Sequence, residues 1–280
     1  MSRSYDFAQV DVFSATPCLG NPVAVVLDAV EVPDEVMQRL ARWTNLSETT
    51  FVLPASDPDA DYRLRIFAPG GELPFAGHPT LGSAAAWLAA GGVPAAADVI
   101  VQECGAGLVR IRRDEDALAF AAPPILRSGA LDDEHVRRIA AGFGIPREAI
   151  VEHQWVDNGP GWAVVRLSTA EEVLALEPDL SVLSDEMVGA VGAHPEGSPH
   201  AIEIRAFAPR LGIAEDPVTG SLNAGVGQWL TASGTLPAQY TASQGARLGR
   251  AGEIAVTADD AGQVWVGGPT TVAIRGTITL

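Results

Sequence analysis

A chain of 280 residues has room for two domains of ordinary size, each able to bury its own core. Hydrophobic residues make up 47% and charged residues 19%, a globular balance that excludes a disordered or fibrous chain. The formal charge of −17, from 35 acidic against 18 basic residues, repels phosphate backbones and anionic lipid, so no nucleic acid and no membrane partner is expected.

Strands are predicted first at Ala8–Phe13 and Val23–Leu27, and Pro33 opens a helix from about Asp34 to Trp43. Strands follow at Thr50–Leu53 and Tyr62–Phe67, then a helix of small residues from about Pro79 to Ala90, stopped by Gly91-Gly92. Strands at Val99–Cys104, Leu108–Arg112 and Leu118–Ala121 complete this half, and Pro123-Pro124 marks the linker. The second half has an amphipathic helix at Asp132–Phe143 and strands near Ala149–Val156, Ala163–Leu167 and Ile202–Phe207. A second small-residue helix runs from about Pro217 to Ala232, before strands at Glu253–Thr257, Val264–Gly267 and Thr271–Thr279. The expected domains are 1–123 and 124–280, with the last strand able to cross back to the first.

The halves repeat in residues as well as in element order. Phe67-Ala68-Pro69 answers Phe207-Ala208-Pro209, and His78-Pro79-Thr80 answers Asp216-Pro217-Val218-Thr219. Gly82-Ser83 with Trp87-Leu88 matches Gly220-Ser221 with Trp229-Leu230, and Gly20-Asn21-Pro22 matches Asn158-Gly159-Pro160. Shared order along the chain points to duplication, and duplicated halves commonly meet across a cleft that binds a ligand. Helices this small and apolar suit burial inside a sheet, so each half is expected to be a curved, mostly antiparallel sheet around one central helix, an α+β fold.

All 18 basic residues are arginine. Without lysine there is no Schiff-base chemistry, no pyridoxal-phosphate anchor and no P-loop. The five histidines show no metal-ligand spacing, so no metal is expected. Cys18 and Cys104 form no C-x-x-C, and no disulfide is expected. The N-terminal residues lack a basic segment followed by an apolar one, and Ala84–Ala90 is too short to span a bilayer, so the expected location is the cytoplasm.

An acidic protein that takes an anionic substrate needs a local positive field, and helix N-termini supply one without lysine. His78 and Asp216 precede the prolines of the two small-residue helices. Asp216 also reads as a plain helix cap, whereas histidine is not a favoured cap. Gly77 and Gly220 let a ligand approach the backbone. Thr80 and Ser221 add hydroxyls, which also suit first-turn bonds to the helix itself. Glu48, in Asn45-Leu46-Ser47-Glu48-Thr49-Thr50, reads by itself as a solvated loop residue. No G-x-S-x-G elbow accompanies Ser221, which argues against a hydrolase.

These segments resemble the phenazine-biosynthesis PhzF-like family. The similar stretches are Asp11-Val12-Phe13, Gly20–Val25, Leu46–Val52, Gly71–Thr80 and Glu215–Ser221, with a tail of Gln244-Gly245 through Gly249-Arg250 and then Val266-Gly267-Gly268. The resemblance implies a diaminopimelate-epimerase-like fold of two pseudo-symmetric domains, often in a homodimer. It also implies a cofactor-independent isomerase that moves a proton within a dihydro-hydroxyanthranilate ring. By that analogy Glu48 is the general acid/base, while His78, Asp216 and Ser221 position the substrate and assist proton movement, and Gly77 contributes backbone contact. Related racemases carry a cysteine at each helix start; His78 and Asp216 stand there instead, which disfavours a two-thiol racemase. A non-catalytic small-molecule-binding or protein-interaction module on the same fold is the alternative.

Overall fold

The computed structural model describes residues 3–113 and 117–280. The chain divides into two compact units, one formed by residues 1–121 with 267–280 and the other by residues 122–266. In chain order the elements begin with β1 (Ser4–Val12), β2 (Asn21–Val26), α1 (Asp34–Thr44), β3 (Thr49–Leu53), β4 (Tyr62–Ala68) and β5 (Gly71–Leu73). Next come α2 (Gly77–Ala89), β6 (Val99–Cys104), β7 (Gly107–Arg113), β8 (Leu118–Ala121), β9 (Arg127–Gly129) and α3 (Asp133–Phe143). The chain goes on through β10 (Glu152–Asp157), β11 (Ala163–Thr169), α4 (Ala170–Ala175), β12 (Val188–Ala193), β13 (Ile202–Ala208) and β14 (Ile213–Asp216). It ends with α5 (Gly220–Ala232), β15 (Gln239–Gln244), β16 (Gly252–Ala258), β17 (Val264–Gly268) and β18 (Thr270–Thr279).

In the first unit β1 pairs antiparallel with both β18 and β2, β2 runs parallel to β3, and β3 pairs antiparallel with β4. β4 takes β5 antiparallel and β6 parallel, and β7 follows antiparallel to β6. The second unit repeats this order: β10 with β11 antiparallel, β11 with β12 parallel, and β12 with β13 antiparallel. β13 then takes β14 antiparallel and β15 parallel, and β16 follows antiparallel to β15.

The two central helices, α2 and α5, are thirteen residues each and mostly buried. α2 packs against β1, β2, β3, β4, β8 and β18. Small residues make that approach close. A Cβ on Gly82 would stand 2.3 Å from Val23 Cγ1, and one on Gly225 would stand 2.5 Å from the Val156 carbonyl oxygen. On the outer faces the helices are amphipathic. Met37, Leu40 and Ala41 of α1 pack on Val26, Phe51 and Phe67, and Val136, Ile139, Ala140 and Phe143 of α3 pack on Val165, Val188 and Phe207.

Both central helices start at a different residue from the one predicted. α2 begins at Gly77, so His78 lies in its first turn and Pro79 is the third residue. Proline is tolerated there because the first four N–H groups of a helix have no partner within it. α5 begins at Gly220, and Asp216 is the last residue of β14, paired with Ala206. Pro217 disfavours helical backbone at the residue before it, so Asp216 stays extended and the reading of it as a cap is wrong. The structural counterpart of His78 is therefore Ser221, each the second residue of its helix, and not Asp216.

Candidate active site

Each unit carries an Arg-Glu brace next to its central helix. Arg65 of β4 donates from Nε and Nη2 to the two carboxylate oxygens of Glu72, both at 2.7 Å, and stacks over Phe67. Arg205 of β13 does the same to Glu215 at 2.9 and 2.8 Å and stacks over Phe207. Such bidentate pairs fix orientation as well as supplying attraction. They clamp the short strands β5 and β14 that lead into the two helices.

The first unit also buries a carboxyl beside an imidazole. Glu48 immediately precedes β3, and His78 sits in the first turn of α2; their exposures are 7% and 3%. His78 Nε2 lies 3.4 Å from Glu48 Oε2. Burial lowers the His78 pKa to about 3, only partly opposed by the Pro22 carbonyl, so the ring is neutral at physiological pH. A neutral imidazole has one donor and one acceptor nitrogen. Nδ1 lies 3.3 Å from the Asn21 amide nitrogen, which can only donate, and the Pro22 carbonyl can only accept. Either tautomer thus finds a backbone or side-chain partner while Nε2 faces Glu48.

Gly77 is buried as the first residue of α2, and the N-cap position is Ala76, which has no side chain to cap the helix. The N–H groups at this end are therefore not consumed by a capping side chain. Thr80 lies deeper. Its side chain is fully buried and its hydroxyl accepts from Gln102 Nε2 at 3.0 Å, while Tyr62 donates to Gln102 Oε1. That engagement makes Thr80 part of the support under the helix.

The second unit brings Asp216, Gly220 and Ser221 to the start of α5. Ser221 Oγ accepts from Trp162 Nε1 at 2.9 Å, and its carbonyl accepts from Asn158 Nδ2 at 2.9 Å. Asp216 Oδ2 accepts from Thr219 Oγ1 at 2.6 Å. Gln244 bonds this corner together, as Gln102 does in the first unit. Sequence patterns did not mark Asn158, Trp162, Gln102 or Gln244 as functional. The signals available were the repeated Gly/Asn/Pro triplet that holds Asn158 and the family-like tail that begins at Gln244.

Among the described residues no cluster of three or more His, Cys, Asp or Glu side chains could hold a metal ion, and no helix is long and apolar enough to cross a membrane. No disulfide bond joins Cys18 and Cys104.

A family model described as phenazine biosynthesis-like protein matches residues 10–279. A Schizosaccharomyces pombe protein named antisense-enhancing sequence 1 is 37% identical, over 97% of this chain and 98% of its own. A trans-2,3-dihydro-3-hydroxyanthranilate isomerase of Pseudomonas aeruginosa is 35% identical, over 92% of this chain and 91% of its own. The crystal structure of a PhzF-family phenazine biosynthesis protein from Enterococcus faecalis matches with a TM-score of 0.82 at 26% identity, covering 99% of this chain and 100% of that one. The fold is the expected diaminopimelate-epimerase-like one. Duplicated sheets around uncapped central helices, and this agreement along almost the whole chain, lead to one conclusion: the protein belongs to the phenazine biosynthesis-like PhzC–PhzF family.

Proposed function

We propose that the protein is a cofactor-independent isomerase that moves a proton within a small carboxylate-bearing substrate of the dihydro-hydroxyanthranilate kind. The observation that carries this reading is the buried Glu48–His78 pair, 3.4 Å apart on the first unit. A carboxylate set among apolar strands and beside a neutral imidazole is placed for proton transfer to and from carbon. Glu48 takes a proton from one carbon and, now a carboxylic acid, returns it to another carbon on the same substrate face. The electron pair left by the first step shifts through the adjacent double bond, so the bond moves and no other reactant is needed. His78 is neutral and does not take up the proton near neutral pH; its single N–H orients the Glu48 carboxyl. Asp216, Ser221 and the backbone at Gly77 and Gly220 hold the substrate's polar groups. Uncapped helix N-termini favour its negative charge and any charge that develops during transfer.

The test is to incubate the protein with trans-2,3-dihydro-3-hydroxyanthranilate in deuterated water and follow the substrate by NMR, with Glu48→Gln alongside. Isomerisation should fall by about 10²-fold or more in the variant, the usual size of a lost general acid/base. Full turnover by Glu48→Gln would sink the assignment.

The Schizosaccharomyces pombe relative bears a name that describes no enzyme, and this favours a second reading, a binding module on the same fold. Saturable binding of the same compound with neither isomerisation nor deuterium uptake would support that reading.

A further inference from the structure

The N-cap of α5 is Thr219, and threonine at this position ordinarily spends its hydroxyl on a backbone N–H of the first turn. Here no side-chain cap bond is made. The contrast within the same unit is direct: Asp132 caps α3, and Thr169 forms a full capping box with Glu172 on α4. The Thr219 hydroxyl is used elsewhere, and its geometry fixes where.

Gln244, 2% exposed on β15, uses its whole amide at this corner. Its Oε1 accepts from the Thr219 backbone N–H and from Asn223 Nδ2, each at 3.0 Å. Its Nε2 donates to the Asp216 carbonyl at 3.1 Å and to Thr219 Oγ1 at 3.0 Å. With two donors against Oε1 and two acceptors against Nε2, the amide has one orientation. Thr219 Oγ1 therefore accepts from Gln244, and its single proton is left for Asp216 Oδ2, 2.6 Å away. That length suits a hydroxyl donating to an ionised carboxylate.

We infer that Thr219 and Gln244 are positioning residues for the reaction: together they aim one hydroxyl proton at Asp216 and so fix its carboxylate, ionised and oriented, beside the start of α5. The inference builds on the proposed role of Asp216. The first unit also sets a glutamine against its helix, Gln102 on Thr80, but at a different ladder position, since Gln102 pairs with Tyr62 and Gln244 with Ile204; its N-cap is Ala76, and its counterpart of Asp216 is Leu73, the partner of Ile66 as Asp216 is of Ala206. The hydroxyl and the carboxylate it serves occur together in the second unit and are both missing from these positions in the first. This is the pattern expected if Thr219 serves Asp216 rather than the helix.

Three variants decide it. Thr219→Val keeps the shape and removes the donor, Thr219→Ser keeps the donor, and Gln244→Glu gives the Thr219 hydroxyl a competing carboxylate to which its proton turns. The Asp216 carboxyl is followed by carbon NMR of protein carrying carboxyl-labelled aspartate, its resonance assigned with Asp216→Asn. Its titration midpoint should move upward in Thr219→Val and Gln244→Glu and return in Thr219→Ser. With trans-2,3-dihydro-3-hydroxyanthranilate as substrate, kcat should fall about tenfold, the worth of one hydrogen bond to a charged group, with KM less affected, and the serine variant should recover it. An unmoved midpoint in both Thr219→Val and Gln244→Glu, or a loss of thermal stability alone, would overturn the inference. Should the unaltered protein fail to turn this compound over, the proposed reaction falls while the titration still decides the role of Thr219.

Discussion

Glu203, the second residue of β13, is a buried carboxyl that the proposed reaction leaves unused. Its exposure is 2%, and burial raises its pKa to about 7 against the opposing pull of Ser243, His200 and Arg205, with Glu215 adding to the rise. Ser243 donates to it at 2.5 Å and also lies 2.8 Å from His194 Nε2; burial lowers the His194 pKa, so that ring adds no fixed positive charge near neutral pH. The sign of the linkage follows from the upward shift. Below about pH 4.5 the carboxyl is protonated in folded and unfolded chains alike, and its contribution is fully present. As pH rises from there through 7 the unfolded chain releases the proton first, so the fold loses stability. Glu203→Gln should remove that loss. Urea midpoints of parent and variant should agree near pH 4.5 and separate above pH 7, the variant being more stable by roughly 2–3 kcal/mol. Equal midpoints at pH 8 would show that Glu203 ionises in the fold without penalty. The same scale explains what could be read of the site beforehand. Glu48 lies in a polar loop with no periodicity to single it out, and its burial against His78 comes from a strand and a helix remote in sequence. Only its resemblance to a family motif pointed to it.

Between residues and the whole lies the element, where the small-residue helices were the most legible feature. A helix without a polar face can only be buried, and α2 and α5 are. The close packing this permits can be tested at Gly225, where an added Cβ would meet the Val156 carbonyl oxygen at 2.5 Å, an atom of backbone that cannot rotate away. Alanine gains up to about 1 kcal/mol in helix propensity over glycine. Overpacking costs typically 1–3 kcal/mol and more against backbone, so Gly225→Ala should lower the denaturation midpoint. Gly71→Ala, where nothing lies within 4 Å, should leave it unchanged and serves as the control. If Gly225→Ala is as stable as the parent, helix and sheet are less tightly apposed than these distances state. Some of the strands that went unpredicted have a related cause. β12 reads Val-Gly-Ala-Val-Gly-Ala because both its faces are crowded: a Cβ on Gly189 would lie 2.7 Å from Leu222 Cδ1, and one on Gly192 2.2 Å from the Thr169 carbonyl oxygen. Such a strand shows neither alternation nor β-branched enrichment along its length, and β5, β9 and β14 are too short to show either.

For the whole molecule, duplication explains both what is shared and what differs. Each unit keeps the Arg-Glu brace, the Phe-Ala-Pro turn and the glycine at the start of its helix. The chemistry-bearing positions have diverged: Glu48 corresponds to Met187, each just before its third equivalent strand, His78 to Ser221, and Leu73 to Asp216. The repeat was legible as a shared order of motifs, but its register at the helix starts was not, because Asp-Pro and His-Pro look alike in sequence and adopt different backbones. The units also differ in how the chain builds them. The second is one continuous segment with its own core from Leu131 to Phe207, whereas the first borrows β18 from the far end of the chain to pair along β1 from Ser4 to Val12. Residues 122–266 expressed alone should therefore unfold cooperatively on heating. Residues 1–121 alone leave one edge of β1 without its ten-residue partner and should not, and a peptide of residues 267–280 added in trans should restore a cooperative transition. Circular dichroism melts of the two fragments, with and without the peptide, measure this. A cooperative transition from residues 1–121 without it would mean that β18 covers a sheet already stable, and that the crossing of the chain contributes little to the first unit.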